Sequence, residues 1–251
     1  MYAKNNKGLI TAIIAARMNS SRMPGKSMAL LCGIPSLEHI INRLKASRFI
    51  DQIIVATTTN NTDDKIRECA KMNGVLCFSG SEDDVLDRTV KAGEISNSEH
   101  VVIVNGDSPI IDPYVVDCVI SAYFKNNADY ASNSWKESWP VGTEAEICRL
   151  ATLQKINTSS TDPAYHEHVT LELNENRNKY KMIDVTASSD EMWPELRLTL
   201  DTQEDYKLIS YIYENLYPSN QLFGIKEIVE FLKQKPEFVR INSNIKQKDI
   251  R

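Results

Sequence analysis

The sequence predicts a three-layer, Rossmann-like α/β domain, with helices on both faces of a mixed, mostly parallel sheet. Three observations predict it. Apolar runs rich in β-branched residues alternate with longer amphipathic stretches through the first half of the chain. These runs fall well short of the roughly 20 apolar residues needed to span a bilayer, so they read as buried strands. The chain has 251 residues, 42% hydrophobic and 25% charged, which suits one large domain with a substantial core.

Taken in order, residues 9–16 form the first strand. Residues 36–47 form a helix with Pro35 in its first turn. A strand at 52–58, a helix at 63–73, a short strand at 75–79 and a helix at 82–95 follow. Residues 100–105 form another buried strand. Asp112 then caps a helix over 113–125 that has Pro113 at its first position. Strands separated by helices imply right-handed crossovers and parallel pairing. The second half is less regular. Strands are expected at 129–133, 144–149, 181–186 and 197–200. Helices are expected at 162–174, 202–215 and 225–235. With no internal repeat and no Gly/Ser linker, residues 1–251 read as one domain. Residues 135–195 read as an insertion before 197–200 returns to the sheet.

Lys+Arg 29 against Asp+Glu 34 gives a net charge of −5, which argues against a nucleic-acid binder. The charge is unevenly spread. Lys4, Lys7, Arg17, Arg22, Lys26, Arg43, Lys45 and Arg48 face a single acid, Glu38, in the first 48 residues. A basic opening on an acidic chain points to a local anion site, such as a phosphate site. Residues 1–8 are polar, with no signal-peptide pattern and no membrane segment expected. Cys32, Cys69, Cys77, Cys118 and Cys148 are odd in number and lack C-x-x-C spacing. They read as reduced thiols of a cytoplasmic protein, not as zinc ligands.

The strongest local signal follows the first strand. Ala15 and Ala16 lead into Arg17-Met18-Asn19-Ser20-Ser21-Arg22-Met23-Pro24-Gly25-Lys26. Arg presents a planar fork to phosphate oxygens and Lys a mobile point charge, so the loop reads as a pyrophosphate or triphosphate clamp. The alternative is a solvated basic loop. Neither G-x-x-x-x-G-K-[ST] nor G-x-G-x-x-G is present. Asp107 follows the 100–105 strand and Asp201 follows 197–200. Two hard carboxylates at neighbouring strand ends suit Mg²⁺. Asp201 as a helix N-cap and Asp107 as a turn residue are the plain alternatives. Thr58 ends the second strand.

R-x-x-S-[ST]-R-x-P-G-K after an apolar strand resembles the opening signature of the cytidylyltransferases, including the CMP-Kdo and CMP-sialic acid synthetases. The SpsF-type branch, named for spore-coat polysaccharide synthesis, is the most similar. Its pattern recurs in "PSLEHIINRLK", "IIVATTTNNTDDKI", "FSGSEDDVLDR", "VNGDSPIID", "YHEHVT" and "LRLTLDTQEDY". The resemblance implies the nucleotidyltransferase (GT-A-like) fold and transfer of CMP from CTP to an acceptor, with release of pyrophosphate. It implies that Arg17, Arg22 and Lys26 act on the phosphates and that Asp107 and Asp201 hold Mg²⁺. The nucleotide site would comprise Ala15, Ala16, Arg17, Ser21, Arg22, Lys26, Thr58, Ser81 and Arg88. Glu144, His166 and His168 fall in the two elements expected to contact the acceptor, and both elements depart from the branch pattern. Val141 and Glu144 replace acids of the first element, and His166 replaces an Arg of the second. The implied acceptor is an acidic sugar or a phosphorylated or phosphonate-bearing small molecule, and the implied assembly is a homodimer. The main alternative is a GT-A glycosyltransferase. Its D-x-D motif is not seen here, since Asn105-Gly106-Asp107 supplies one acid.

Overall fold

The computed structural model describes residues 7–247, so Lys4 of the basic opening segment lies outside the described residues. Strand β1 (Ile10–Ala15) lies in the middle of a seven-stranded sheet. A two-residue hairpin, β2 (Leu30–Leu31) and β3 (Ile34–Pro35), leads into helix α1 (Ser36–Lys45). Pro35 occupies the N-cap position of α1, one residue before the first turn expected for it. Strand β4 (Gln52–Thr58), helix α2 (Asp64–Met72), strand β5 (Leu76–Gly80) and helix α3 (Val85–Ile95) follow. Strand β6 (His100–Asn105) pairs with β1 on the side opposite β4. Helix α4 (Pro113–Asn126) begins as expected, with the Asp112 side chain accepting from the Tyr114 backbone N–H and Pro113 in the first turn.

The second half supplies β7 (Tyr130–Ser132), β8 (Glu146–Arg149) and β9 (Met182–Asp184). The sheet order is β5-β4-β1-β6-β8-β7-β9. The β5-β4-β1-β6 half is parallel, β8 runs antiparallel to both neighbours, and β7 pairs parallel with β9. Strand β8 lies next to β6 inside the sheet, so part of the 135–195 stretch belongs to the central layer.

Two expectations need correction. Residues 197–200 form no strand; a single bridge joins Arg197 to Val141, and the Leu200 N–H donates to the Asp107 carbonyl. The single helix expected over 162–174 is two short ones, α6 (Pro163–Glu167) and α7 (Leu171–Glu175). Helix α5 (Leu150–Ser159) was not anticipated, although Leu150, Leu153 and Ile156 line its buried face at helical spacing. Helices α8 (Gln203–Leu216), α9 (Ile225–Lys233) and α10 (Pro236–Val239) complete the fold.

Alternation along β1 builds the layers. Ala12 and Ile14 face α1, α2 and α4 in one apolar cluster, while Ile13 faces α3 and α5 in another. A third cluster joins α8 and α9 to Leu196, Leu198 and Leu200. That packing holds the extended 197–200 segment beside the sheet without a strand ladder. Among the described residues, no helix is long and apolar enough to cross a membrane.

Candidate active site

The chain passes from β1 to β4 on one side and returns to β6 on the other. The crevice beyond the carboxyl ends of β1 and β6 is therefore the place where strand order reverses, the usual ligand position in open α/β sheets. Ala15 pairs with Asn105 at this end. Gly106 then lies so close that an added Cβ would be 2.6 Å from the Ala15 carbonyl oxygen. Only glycine lets the two loops leave the sheet this near each other.

The basic loop is folded on itself. The Lys26 N–H donates to the Met23 carbonyl at 3.2 Å, and Gly25 has φ +78° between them. This is the geometry of a turn with Pro at its second position and Gly at its third. It turns Lys26 inward. Asp63 secures the other end of the loop, accepting from the Met18 N–H at 2.8 Å. The Asp63 carboxylate also accepts from the Thr57 and Thr58 hydroxyls at 2.8 and 2.6 Å. Burial alone would raise the Asp63 pKa. The bonds from Thr58, Met18 and Thr57 outweigh that and hold it below the ordinary value.

Lys26 Nζ sits 2.7 Å from Asp107 Oδ2 and 2.7 Å from Asp201 Oδ1. Arg22 and Arg197 each place a guanidinium nitrogen 2.7 Å from Asp201 Oδ2. Burial alone would lower the Lys26 pKa, but the two carboxylates outweigh it and raise the pKa above the usual value. Burial would likewise raise the Asp201 pKa, whereas Lys26, Arg22 and Arg197 hold it down. Thr202, not Asp201, is the N-cap of α8.

A cavity of about 290 Å³ opens over this cluster. Of the residues expected at the nucleotide site, Ala15, Ala16, Arg17, Ser21, Arg22, Lys26 and Arg88 line it, together with Asp107 and Asp201. Arg17 sits toward solvent, 3.9 Å from the Glu82 carboxylate. Arg88 is buried and donates to the Ser81 carbonyl, and its Nε has no hydrogen-bond partner. Burial, then the nearby Arg17, lowers its pKa.

Two nucleotide-site expectations fall elsewhere. Thr58 faces Asp63, and the Ser81 hydroxyl accepts from the Asp84 N–H at 3.1 Å, so neither lines the cavity. The three residues expected at the acceptor are also dispersed. His168 lines the cavity beside Glu167. His166 bridges Asp84 Oδ2 at 2.8 Å and the Ser160 carbonyl at 3.1 Å, and these two acceptors raise its pKa. Glu144 lines a neighbouring cavity of about 240 Å³ with Asn133, Lys136 and Trp139. Both its carboxylate oxygens accept from the Gly142 N–H at 2.9 Å, and burial pushes its pKa up to about 7.

Several contributors were missed from sequence. Ser20, Ser27, Val85, Asn105, Gly106 and Glu167 also line the main cavity. Arg197 and Asp205 support Asp201 through a buried ion pair of 3.1 Å. The Arg-x-x-x-Asp-x-x-x-Asp spacing from Arg197 to Asp205 was the available signal.

The donor set fits a divalent ion. Asp107 and Asp201 already converge on one cation, the Lys26 ammonium, at equal distances. Among the described residues, no group of three or more His, Cys, Asp or Glu comes together as a ligand cluster. Two carboxylates suit Mg²⁺ in a phosphate site, where water and phosphate oxygens supply the remaining ligands.

Comparison with known proteins adds the family context. A family model described as Cytidylyltransferase matches residues 11–245. Over 242 residues the chain is 34% identical to an uncharacterized protein of Methanocaldococcus jannaschii, covering 96% of this chain and 98% of the other. Over 233 residues it is 31% identical to the spore coat polysaccharide biosynthesis protein SpsF of Bacillus subtilis, covering 91% and 95%. A solved cytidylyltransferase from Leptospira borgpetersenii superimposes with a TM-score of 0.87 at 29% identity, over 97% of this chain and 100% of that one.

Proposed function

The chain belongs to the cytidylyltransferase family, and from that premise we propose that its cavity transfers CMP from CTP to a small anionic acceptor and releases pyrophosphate. The acceptor class is an acidic sugar or a phosphorylated or phosphonate-bearing small molecule. The likeness to SpsF supports a place in surface-polysaccharide or related conjugate biosynthesis. One observation carries the reading: Arg22, Lys26, Asp107 and Asp201 converge where strand order reverses, on loops held by Gly106 and Asp63.

An acceptor oxygen attacks the α-phosphorus, a sugar hydroxyl losing its proton to solvent and a phosphate or phosphonate oxygen attacking already deprotonated, as the bond to the bridging oxygen of the leaving pyrophosphate breaks. Arg17, Arg22 and Lys26 bind the β- and γ-phosphates and stabilise the charge that departs with them. To do so, Arg22 and Lys26 exchange their carboxylate partners for phosphate oxygens. Asp107 and the Asp201 Oδ1 so released would hold Mg²⁺, which when bound neutralises charge at the α-phosphate, while Arg197 stays on Asp201 Oδ2. Buried Arg88, with an unused Nε–H, faces the same cavity and suits the nucleotide. His168, from the lining of this cavity, and Glu144, from the separate cavity, are assigned to the acceptor on the family resemblance. Transfer at phosphorus depends chiefly on positioning and electrostatics, so this set needs no protein nucleophile.

The test is pyrophosphate release with Mg²⁺, each of the four NTPs, and a pool of acidic sugars and phosphorylated small molecules. Release is expected only with CTP plus an acceptor. No release with any NTP, combined with turnover of a nucleotide-sugar, would favour a glycosyltransferase instead.

A further inference from the structure

We propose that Asn242, in the segment after α10, is a positioning residue for Asp201. It acts through a chain of buried hydrogen bonds and touches no part of the cavity. Asp201 binds Arg197 directly, and Arg197 is in turn fixed by Asp205 on α8. Asp205 is fully buried. Its Oδ2 accepts from the backbone N–H groups of Asp201 and Thr202 at 3.1 and 3.0 Å. Its Oδ1 accepts from Arg197 Nε at 3.1 Å and from Asn242 Nδ2 at 2.8 Å.

The same Asn242 amide donates to the Arg197 carbonyl at 3.0 Å. Asn242 therefore grips both the backbone of Arg197 and the carboxylate that anchors its side chain. It is 2% exposed, so water does not replace these bonds. The segment carrying it is itself anchored. Phe238 on α10 stacks on Tyr211 of α8 with ring planes 6° apart, and the Ile241 N–H donates to the Phe238 carbonyl at 3.1 Å. Two buried acids and an arginine have several ways to pair. An amide that donates twice selects the arrangement in which the second arm of Arg197 reaches Asp201. Partners that orient metal-ligating carboxylates commonly govern metal affinity without contacting the ion.

The inference rests on the proposed role of Asp201, so the experiment separates the two. Protein-bound Mn²⁺ is titrated by EPR with CTP present and acceptor absent, against a CTP-only blank, for wild type, Asn242→Ala, Asn242→Ser and Asp201→Asn. Thermal melting is recorded alongside. Asn242→Ala should raise the Mn²⁺ half-saturation by about threefold to tenfold, below the roughly tenfold or more of a group bonded directly to a ligand, because Asn242 acts through Asp205 and Arg197. Asn242→Ser, which keeps a donor in a smaller volume, should shift it less in the same direction. If Asn242→Ala does not fold, Asn242→Ser carries the test. A folded variant with a lowered melting temperature and wild-type Mn²⁺ half-saturation would overturn the proposal, leaving Asn242 a packing residue. Wild-type binding in Asp201→Asn would instead remove the premise, and the proposal with it.

Discussion

Replacing Lys26 by methionine should move two affinities in opposite directions. The substitution keeps an unbranched stem and removes the charge. In the free protein the ammonium makes two contacts of 2.7 Å, one to Asp107 and one to Asp201, and its side chain is 14% exposed. Its raised pKa keeps it charged throughout the working pH range. A charge-assisted contact contributes about 1.5–3 kcal/mol, so losing one to a phosphate should raise the CTP requirement roughly tenfold to a hundredfold. A divalent ion faces the opposite situation. In wild type it must displace the ammonium from both carboxylates, and in the variant it need not. The displaced ammonium regains water, so the net gain is at the low end, about tenfold tighter Mn²⁺ binding without nucleotide. Asp201 retains Arg22 and Arg197, so stability should fall by less than the roughly 3–5 kcal/mol of a fully orphaned buried ion. The assays are the CTP dependence of pyrophosphate release and EPR titration of Mn²⁺ without nucleotide. A fall in both affinities together, or an unchanged CTP dependence, would refute the idea that Lys26 alternates between the carboxylates and the phosphates.

Arg22→Ala should raise the CTP requirement about tenfold, the lower end for a charge-assisted contact because this side chain is 36% exposed and partly screened; steady-state kinetics would show it. Gly106→Ala would set a Cβ 2.6 Å from a backbone oxygen and 2.9 Å from Ala16 Cβ, neither able to rotate away. Urea titration should find it less stable by about 1–3 kcal/mol, with CTP binding weakened because the β1 and β6 loops are forced apart. Glu144 has its folded pKa raised from 4.5 to about 7, so the native state binds its proton more tightly than the unfolded chain. Its contribution is full below about pH 4.5 and is lost as pH rises through about 7. The wild-type stability curve should therefore fall relative to that of Glu144→Gln across this window, and parallel curves would contradict the burial of a titrating carboxyl there.

The parallel half of the sheet was legible because strands buried on both faces read as continuous apolar runs. Residues 52–58 and 100–105 match β4 and β6 end to end. The basic loop was legible because three cations and a Pro-Gly turn cluster at a strand end. Residues 197–200 misled because Leu196, Leu198 and Leu200 alternate like a strand. The segment is held extended, yet its backbone bonds go to Val141 and Asp107 rather than to a ladder. Helix α5 was hidden by its Thr and Asn residues and by the lack of a side-chain cap. His166 and Thr58 carry polar groups that suit a ligand, but their partners, Asp84 and Asp63, lie on other elements. Only the folded chain shows those groups already occupied. Asn242 was invisible for the same reason, since nothing in its own neighbourhood points to Arg197.

Transfer at the α-phosphorus is tested most directly by following label from CTP in the presence of Mg²⁺ and the acceptor pool. Label from [α-³²P]CTP should appear in an acceptor conjugate, and label from [γ-³²P]CTP should leave as pyrophosphate. Release of the γ-label as orthophosphate, with no α-label in any conjugate, would contradict it.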